Sequence, residues 1–153
     1  MANASSPTEL PVAGLPRRLG GMVYDTLLLI GIWMITLFFM VVAHDGTAVA
    51  GLRVQAILFL EMFAFFALFW RRDGQTVGMM AWRMRIVSIR GGRLSLAQII
   101  LRFLGGLLAA APLGLGYLWM LVDPDRRTWG DMLSDSRVVV EPKGQRGTAR
   151  STN

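Results

Sequence analysis

Three ionisable residues lie inside long apolar runs of this 153-residue chain, and they are the residues best placed to do chemistry. Asp25 lies near the start of the first run, Glu61 near the middle of the second, and Arg102 within the third. A charged side chain near the bilayer centre costs about 2.5 to 3.5 kcal/mol on insertion scales, so it normally has a partner, a wet cavity or a task. The pattern indicates either a proton or cation site or a buried ion pair that fixes the helix arrangement.

The partner that we predict for Asp25 is Arg102, because it is the only arginine inside an apolar run. Arg18 shares a helical face with Asp25 but lies about 10.5 Å away along the axis, and is expected to reach the headgroups instead. Asp25 and Glu61 could share a proton or hold a cation if they met, and nothing in their spacing shows whether they do. A protonated carboxyl group bonded between helices is the alternative.

The composition is that of a protein in lipid, with 54% hydrophobic residues and a formal charge of +6. The basic residues flank the apolar runs rather than covering one surface, which argues against nucleic-acid binding. Between residues 71 and 102, seven arginines accompany one acid, Asp73, as expected of a cytoplasmic loop.

Catalytic and cofactor-binding patterns are not evident in the sequence. The absence of cysteine excludes disulfides and thiolate chemistry, and a single histidine provides no zinc site. The sequence also lacks a nucleophile-base pair and a cofactor fingerprint. We therefore expect neither an enzyme nor a cofactor or metal centre.

The apolar runs predict an all-α polytopic membrane protein. Residues 20–42 and 54–70 each fall within the length range of a spanning helix, about 17–25 residues. Residues 95–122 exceed one span and contain Pro112 and several glycines, so we expect two shorter helices there. These form either a re-entrant hairpin, which leaves the C terminus cytoplasmic, or a third crossing. Small residues such as Gly105 and Ala109 favour close helix packing in this segment.

A small cytoplasmic β element is predicted after the second span. Residues 84–90 alternate apolar and polar side chains ahead of Gly91 and Gly92, which is typical of a strand entering a hairpin turn. The β-branched residues 138–140 could pair with this strand and would then lie on the same side of the membrane.

The predicted domain spans residues 17–140 and lies between two polar tails. Residues 1–16 and 141–153 show no apolar periodicity, so we expect both to be disordered.

Three stretches together resemble the RDD family of bacterial membrane proteins. They are Arg-Arg-Leu-Gly-Gly-Met-Val-Tyr-Asp at residues 17–25, Asp-Gly-Gln-Thr-Val-Gly at residues 73–78, and Asp-Pro-Asp-Arg-Arg-Thr-Trp-Gly-Asp at residues 123–131. The order and spacing of the three motifs are more specific than any one of them, and the resemblance covers roughly residues 15–140.

The resemblance implies a set of site residues. Arg18 matches the family's arginine, Asp25 its first aspartate and Asp131 its second, with Asp123 as the alternative for the last. The family's loop motif Gly-Gln-Thr-x-Gly falls on three further residues, Gln75, Thr76 and Gly78.

The sequence also departs from the family pattern in two places. Met79 and Met80 stand where a basic residue is common, and Gly130 stands where a histidine often precedes the aspartate.

For function, the resemblance implies membrane transport of an unidentified ligand, with sodium/proton exchange suggested for some members. We expect ion (cation or proton) or small-solute transport in the bacterial inner membrane, with the N terminus cytoplasmic and Asp25, Glu61 and Arg102 assisting. Two or three spans enclose little pore, so a transporter is expected to be an oligomer. The alternative is a non-transporting anchor or assembly module for another membrane protein.

Asp131 itself has two interpretations at this stage. A cytoplasmic ion pair with Arg18 would tie the C-terminal segment to the first helix. An acid favoured by the dipole at a helix N-terminus is the alternative.

Overall fold

The computed structural model describes residues 10–47 and 49–142 and shows a mostly helical protein with a small sheet. Helix α1 (Leu15–Ala43) and helix α2 (Leu52–Arg72) are both long and apolar enough to cross a membrane. Both predicted spans are thereby confirmed as helices, each somewhat longer than expected. Pro16 extends α1 at its start, because a proline in the first turn lacks only an N–H that would have no helical partner.

The third apolar segment is broken into two helices, as predicted. Helix α4 (Leu96–Ala110) begins with a capping box, in which Ser95 and Gln98 each bond the other's backbone N–H. After Pro112 and Gly114, which has a φ of +81°, a shorter helix α5 (Leu115–Leu118) runs into a 3-10 turn. The two pieces are bent by 106° from each other, so they form either one broken span or a re-entrant loop.

The predicted pairing of the two β segments is confirmed. Strand β1 (Met84–Ser88) pairs antiparallel with strand β2 (Ser136–Val140), with Ile86 opposite Val138. The two strands are not joined by a tight hairpin turn, because residues 89–135 lie between them.

A further stretch of backbone extends this sheet on the other side of β2. The N–H of Val140 donates to the carbonyl of Pro11, and the N–H of Ala13 donates to that of Val138, both at 2.8 Å. Residues 11–16, which the sequence placed in a disordered tail, are ordered, since residues 11–13 bond β2 and α1 begins at Leu15. Residues 1–9 and 143–153 lie outside the described residues.

The sheet brings distant parts of the chain to one end of the helices. Residues 11–13 lead directly into α1, and β1 follows α2 after the short helix α3 (Val77–Ala81). Strand β2 follows another short helix, α6 (Trp129–Leu133). We call this end, which holds residues 11–13, β1 and β2, the sheet end.

Glycines set the closest approaches between helices at the sheet end. A Cβ atom on Gly78 of α3 would lie 2.1 Å from the carbonyl oxygen of Gly21 on α1. A Cβ on Gly105 of α4 would lie 2.8 Å from Cα of Gly130 on α6. Both distances are shorter than any stable contact, so α3 and α6 reach these positions only because no side chain intervenes.

We predict that Gly78→Ala destabilises the protein, because its methyl group would collide with backbone rather than with a side chain that can move. Overpacking of this kind costs about 1–3 kcal/mol. The control is Gly31→Ala, also in a helix, where an added Cβ meets no atom within 4 Å. Thermal unfolding in detergent should show a lower midpoint for Gly78→Ala only. Equal midpoints for the two variants would contradict this packing.

Candidate functional site

At the centre of the candidate site, one carboxylate lies between two guanidinium groups. Arg18 Nη1 donates to Asp131 Oδ2 at 2.5 Å, and Arg102 Nη1 donates to Asp131 Oδ1 at 2.8 Å. The side chains are 6%, 0% and 11% exposed for Arg18, Asp131 and Arg102 respectively. We call these three residues the charged trio, and they join α1, α4 and α6.

Hydrogen bonds with neighbouring Thr128 also hold Asp131 in place. Thr128 caps α6 by accepting a hydrogen bond from the Asp131 N–H at 3.3 Å, and its own N–H donates to Asp131 Oδ2 at 3.1 Å. This reciprocal arrangement orients the carboxylate at the start of the helix, where the dipole also favours a negative charge. Both interpretations of Asp131 from the sequence therefore apply, because it is a helix-capping acid and the partner of Arg18.

The arginines are tied to the sheet end by further bonds. Arg18 Nε donates to the carbonyl of Ala13 at 3.0 Å, and Arg102 Nη1 donates to Ser136 Oγ at 2.6 Å. Ala13 belongs to the segment that extends the sheet, and Ser136 begins β2. The charged trio consequently fixes the sheet against the first turns of α1.

The electrostatics of the trio keep Asp131 ionised. Burial would raise the pKa of its carboxyl group, but the guanidinium groups of Arg102 and Arg18 outweigh burial and hold that pKa below its ordinary value. Two cations and one anion leave the trio with a net charge of +1 in a buried setting.

The predicted pairing of Arg102 with Asp25 is wrong, because Arg102 bonds Asp131 and Ser136 instead. Asp25 is 4% exposed and accepts two hydrogen bonds from the loop motif, from Thr76 Oγ1 at 2.5 Å and from the Gly78 N–H at 2.8 Å. Neutral donors at the start of α3 thus satisfy this carboxylate without a cation.

The rest of the loop motif anchors the same turn to β1. Thr76 caps α3 by accepting a hydrogen bond from the Met79 N–H, and Gln75 Nε2 donates to the carbonyl of Met84 at 2.9 Å. Our prediction did not link Asp25 to this loop. The sequence does contain a signal for this turn, because Thr76 lies three residues ahead of Met79, which is the spacing of an N-cap and the N–H that it accepts.

Glu61 lies in a separate place. Its Oε1 accepts a hydrogen bond from Thr36 on α1 at 2.7 Å, and nearby Trp33 Nε1 donates to the carbonyl of Leu58 at 3.1 Å. Thr36 follows Asp25 by eleven residues, about 16.5 Å along the helix axis. Glu61 and Asp25 therefore do not meet, and the Glu61 contacts join α1 to α2.

Asp123, the alternative for the second family aspartate, is bonded locally. Its Oδ2 accepts from Arg127 Nε at 3.1 Å, four residues along the chain. It does not enter the charged trio.

A cavity of about 340 Å³ lies between α1, α2 and α4. Arg18, Asp25 and Arg102 line it together with Tyr117, and the remaining walls are largely apolar. Trp70 belongs to this lining, and Arg102 Cζ lies 5.5 Å from its ring centroid. The apolar lining includes Leu29, Met62, Phe66, Met79, Phe103 and Leu107.

Helices α1 and α2 are long and apolar, and only 6% of the most apolar stretch of each is buried within the chain. Together with the buried charged cluster at one end, they define an integral membrane protein. The sequence pattern that describes the RDD family matches residues 12–135 of this chain. The chain belongs to the RDD family, as its three motifs predicted. No match was found among curated proteins or among solved structures.

We predict that Asp131→Asn strongly destabilises the protein. The substitution leaves two buried guanidinium groups without a counter-charge, and breaking a buried pair in this way costs about 3–5 kcal/mol. The matched control is Asp125→Asn, whose side chain is 53% exposed and pairs with Arg127 at 3.2 Å. Thermal unfolding in detergent at neutral pH should separate the two variants. An Asp131→Asn protein as stable as the control would show that the trio is not a structural necessity.

Proposed function

We propose that the protein crosses the bacterial inner membrane twice, with the sheet end and the N terminus on the cytoplasmic side. In support, residues 11–13 precede α1 and bond β2, while β1 follows α2 and also pairs with β2. Residues 96–135 therefore begin and end beside the same sheet, as a re-entrant α4–α5 loop requires. Arginines flank the helices at this end, in agreement with the positive-inside rule, at positions 17, 71, 72 and 83.

We further propose that the protein binds and transports a small solute through the cavity beside the charged trio. The observation that carries this proposal is the combination of arginine and aromatic side chains with apolar walls around one cavity. Its volume lies near the lower end of the range for small-molecule sites, about 300–1,000 Å³. Orientation of a solute would come from the few polar groups, and affinity from the walls.

A small solute is favoured over a bare cation or proton as the transported species. Both oxygens of Asp25 already accept hydrogen bonds from the α3 turn, and Glu61 bonds Thr36, which lies about 16.5 Å from Asp25 along α1. Two acids so placed do not form one cation site.

Oligomerisation belongs to the same proposal. Only 6% of the most apolar stretch of α1 and of α2 is buried within a single chain, which leaves surface for lipid or for another copy. A pair of crossing helices encloses little pathway by itself, so the transporting unit is an oligomer.

A non-transporting anchor or assembly module is the second candidate. The observation that favours it is that Arg18, Asp25 and Asp131, the family-motif residues, all have partners within the chain. Such contacts suit a rigid scaffold as well as a transporter.

The topology is testable with single cysteines, because the chain contains none. We expect a cysteine at His44, in the loop between α1 and α2, to react with an impermeant maleimide added to intact spheroplasts. A cysteine at Pro142, just beyond β2, should react only after the membrane is opened. Labelling of the Pro142 site from outside would contradict two crossings and favour a third span.

Transport is testable in proteoliposomes with a panel of labelled small solutes that includes hexanoate, phosphate and amino acids. We expect flux above that of empty liposomes for at least one solute. Met62→Trp, which fills the cavity, should reduce that flux at least tenfold. Met34→Trp is the control, since Met34 is 67% exposed on α1 and does not line the cavity.

The same preparation separates the remaining alternatives. A proton- or Na⁺-driven signal that is lost in both Asp25→Asn and Glu61→Gln would restore the ion-transport hypothesis. Absence of any flux from wild-type protein, together with stable co-purification of one partner, would favour the assembly module.

A further inference from the structure

The cavity carries an excess of positive charge on one wall. The trio contributes two guanidinium groups and one carboxylate, and both arginines line the cavity. Asp25 also lines it, but its Oδ2 accepts a hydrogen bond from Thr76 Oγ1 and its Oδ1 accepts one from the Gly78 N–H. A net cation in an apolar setting is costly, and the cost falls when an anion binds beside it.

Two residues that line the cavity each carry a hydrogen-bond donor that lacks an acceptor among the described residues. Arg18 is only 6% exposed, and its Nη2 is buried without a hydrogen-bond partner among the described residues. Trp70 Nε1 is buried and unpartnered in the same sense. Arg102 connects the two, since its guanidinium lies against the Trp70 ring and shares Asp131 with Arg18. Buried donors without acceptors are uncommon in native proteins and call for an explanation.

The other walls are suited to an apolar body. Phe66 and Phe103 lie with ring centroids 6.3 Å apart, and Met62 lies on the same lining. Tyr117 adds one hydroxyl group, which makes only a long bond of 3.4 Å to the carbonyl of Gly106. A ligand that is polar throughout would leave most of this surface unsatisfied.

We propose that the cavity binds an amphiphilic anion, with a carboxylate or phosphate oxygen accepting hydrogen bonds from Arg18 Nη2 and Trp70 Nε1 and an apolar chain or ring against Phe66, Phe103 and Met62. This rests on the proposed function, in which the cavity takes a solute, and it names the chemical class of that solute. The same headgroup chemistry occurs in free small acids and in membrane phospholipids.

The test uses the full chain purified in dodecyl maltoside, which carries no charge. Hexanoate is the anionic probe, and hexanol and hexylammonium are the neutral and cationic probes of equal chain length. Isothermal titration calorimetry should show saturable binding of hexanoate, at least tenfold tighter than that of either analogue. A raised melting midpoint with hexanoate should accompany it.

Trp70→Phe isolates the indole donor, because it keeps an aromatic ring and removes the N–H. We expect hexanoate affinity to fall about three- to tenfold, the worth of one hydrogen bond. Trp119→Phe is the control, since Trp119 is 45% exposed on the 3-10 turn after α5 and does not line the cavity. Met62→Trp, which fills the cavity, should abolish binding and serves as the second variant if Trp70→Phe unfolds.

Native mass spectrometry of the same preparations distinguishes the source of the anion. Retention of one anionic phospholipid by wild type and Met34→Trp, but not by Met62→Trp, would support the proposal with a lipid as the ligand. Hexanoate binding without retained lipid would support it with a free acid as the ligand.

Two results would overturn the anion proposal. One is binding of hexanol or hexylammonium as tight as that of hexanoate, which would leave a solute cavity of different chemistry. The other is a folded wild-type protein that holds neither hexanoate nor phospholipid. Hexanoate binding without flux in proteoliposomes would instead overturn transport and leave the anion site in place.

Discussion

The arrangement of this protein depends on neutralising one buried carboxylate with two arginines from distant parts of the chain. Asp131 is fully buried, and water cannot screen or solvate its charge there. Arg18 comes from the start of α1 and Arg102 from the middle of α4, so satisfying Asp131 requires that α6 lie between them. The bonds from Arg18 to Ala13 and from Arg102 to Ser136 then fix the sheet to the same point. Charge pairing thus determines which elements are neighbours.

A second constraint operates through the absence of side chains. Gly21 and Gly78 bring α1 and α3 into backbone contact, and this closeness lets the Gly78 N–H reach Asp25. Gly105 and Gly130 do the same for α4 and α6, beside the trio. Polar bonds and glycine contacts therefore support each other, since the bonds need short distances and the glycines permit them.

The elements of this fold could be predicted from sequence to the extent that they depend on local composition. Apolar length and proline and glycine breaks predicted α1, α2 and the divided third segment, and β-branched residues predicted the partner of β1. The sequence predicts a tail at residues 11–13, because their pairing with β2 uses backbone groups that no side-chain pattern reveals.

The site was predictable only in part, and the errors have physical causes. The contact between Arg18 and Asp131 is present, as one interpretation of the motifs required. The sequence predicts a cation as the partner of Asp25, whereas two neutral donors on a capped turn supply its bonds. Arg102 bonds Asp131 rather than Asp25 because α4 lies close to α6. That close approach depends on Gly105 and Gly130, which lie in separate segments of the chain.

The separation of Arg18 and Asp131 by 113 positions also bears on how the protein is made. At about 5–20 residues per second, the ribosome completes residue 131 several seconds after residue 18. During that interval Arg18 lacks its protein partner, and its long side chain can keep the charge among the headgroups. The bond between Arg18 and Asp131 therefore forms late in synthesis, and a chain that ended before α6 would lack it.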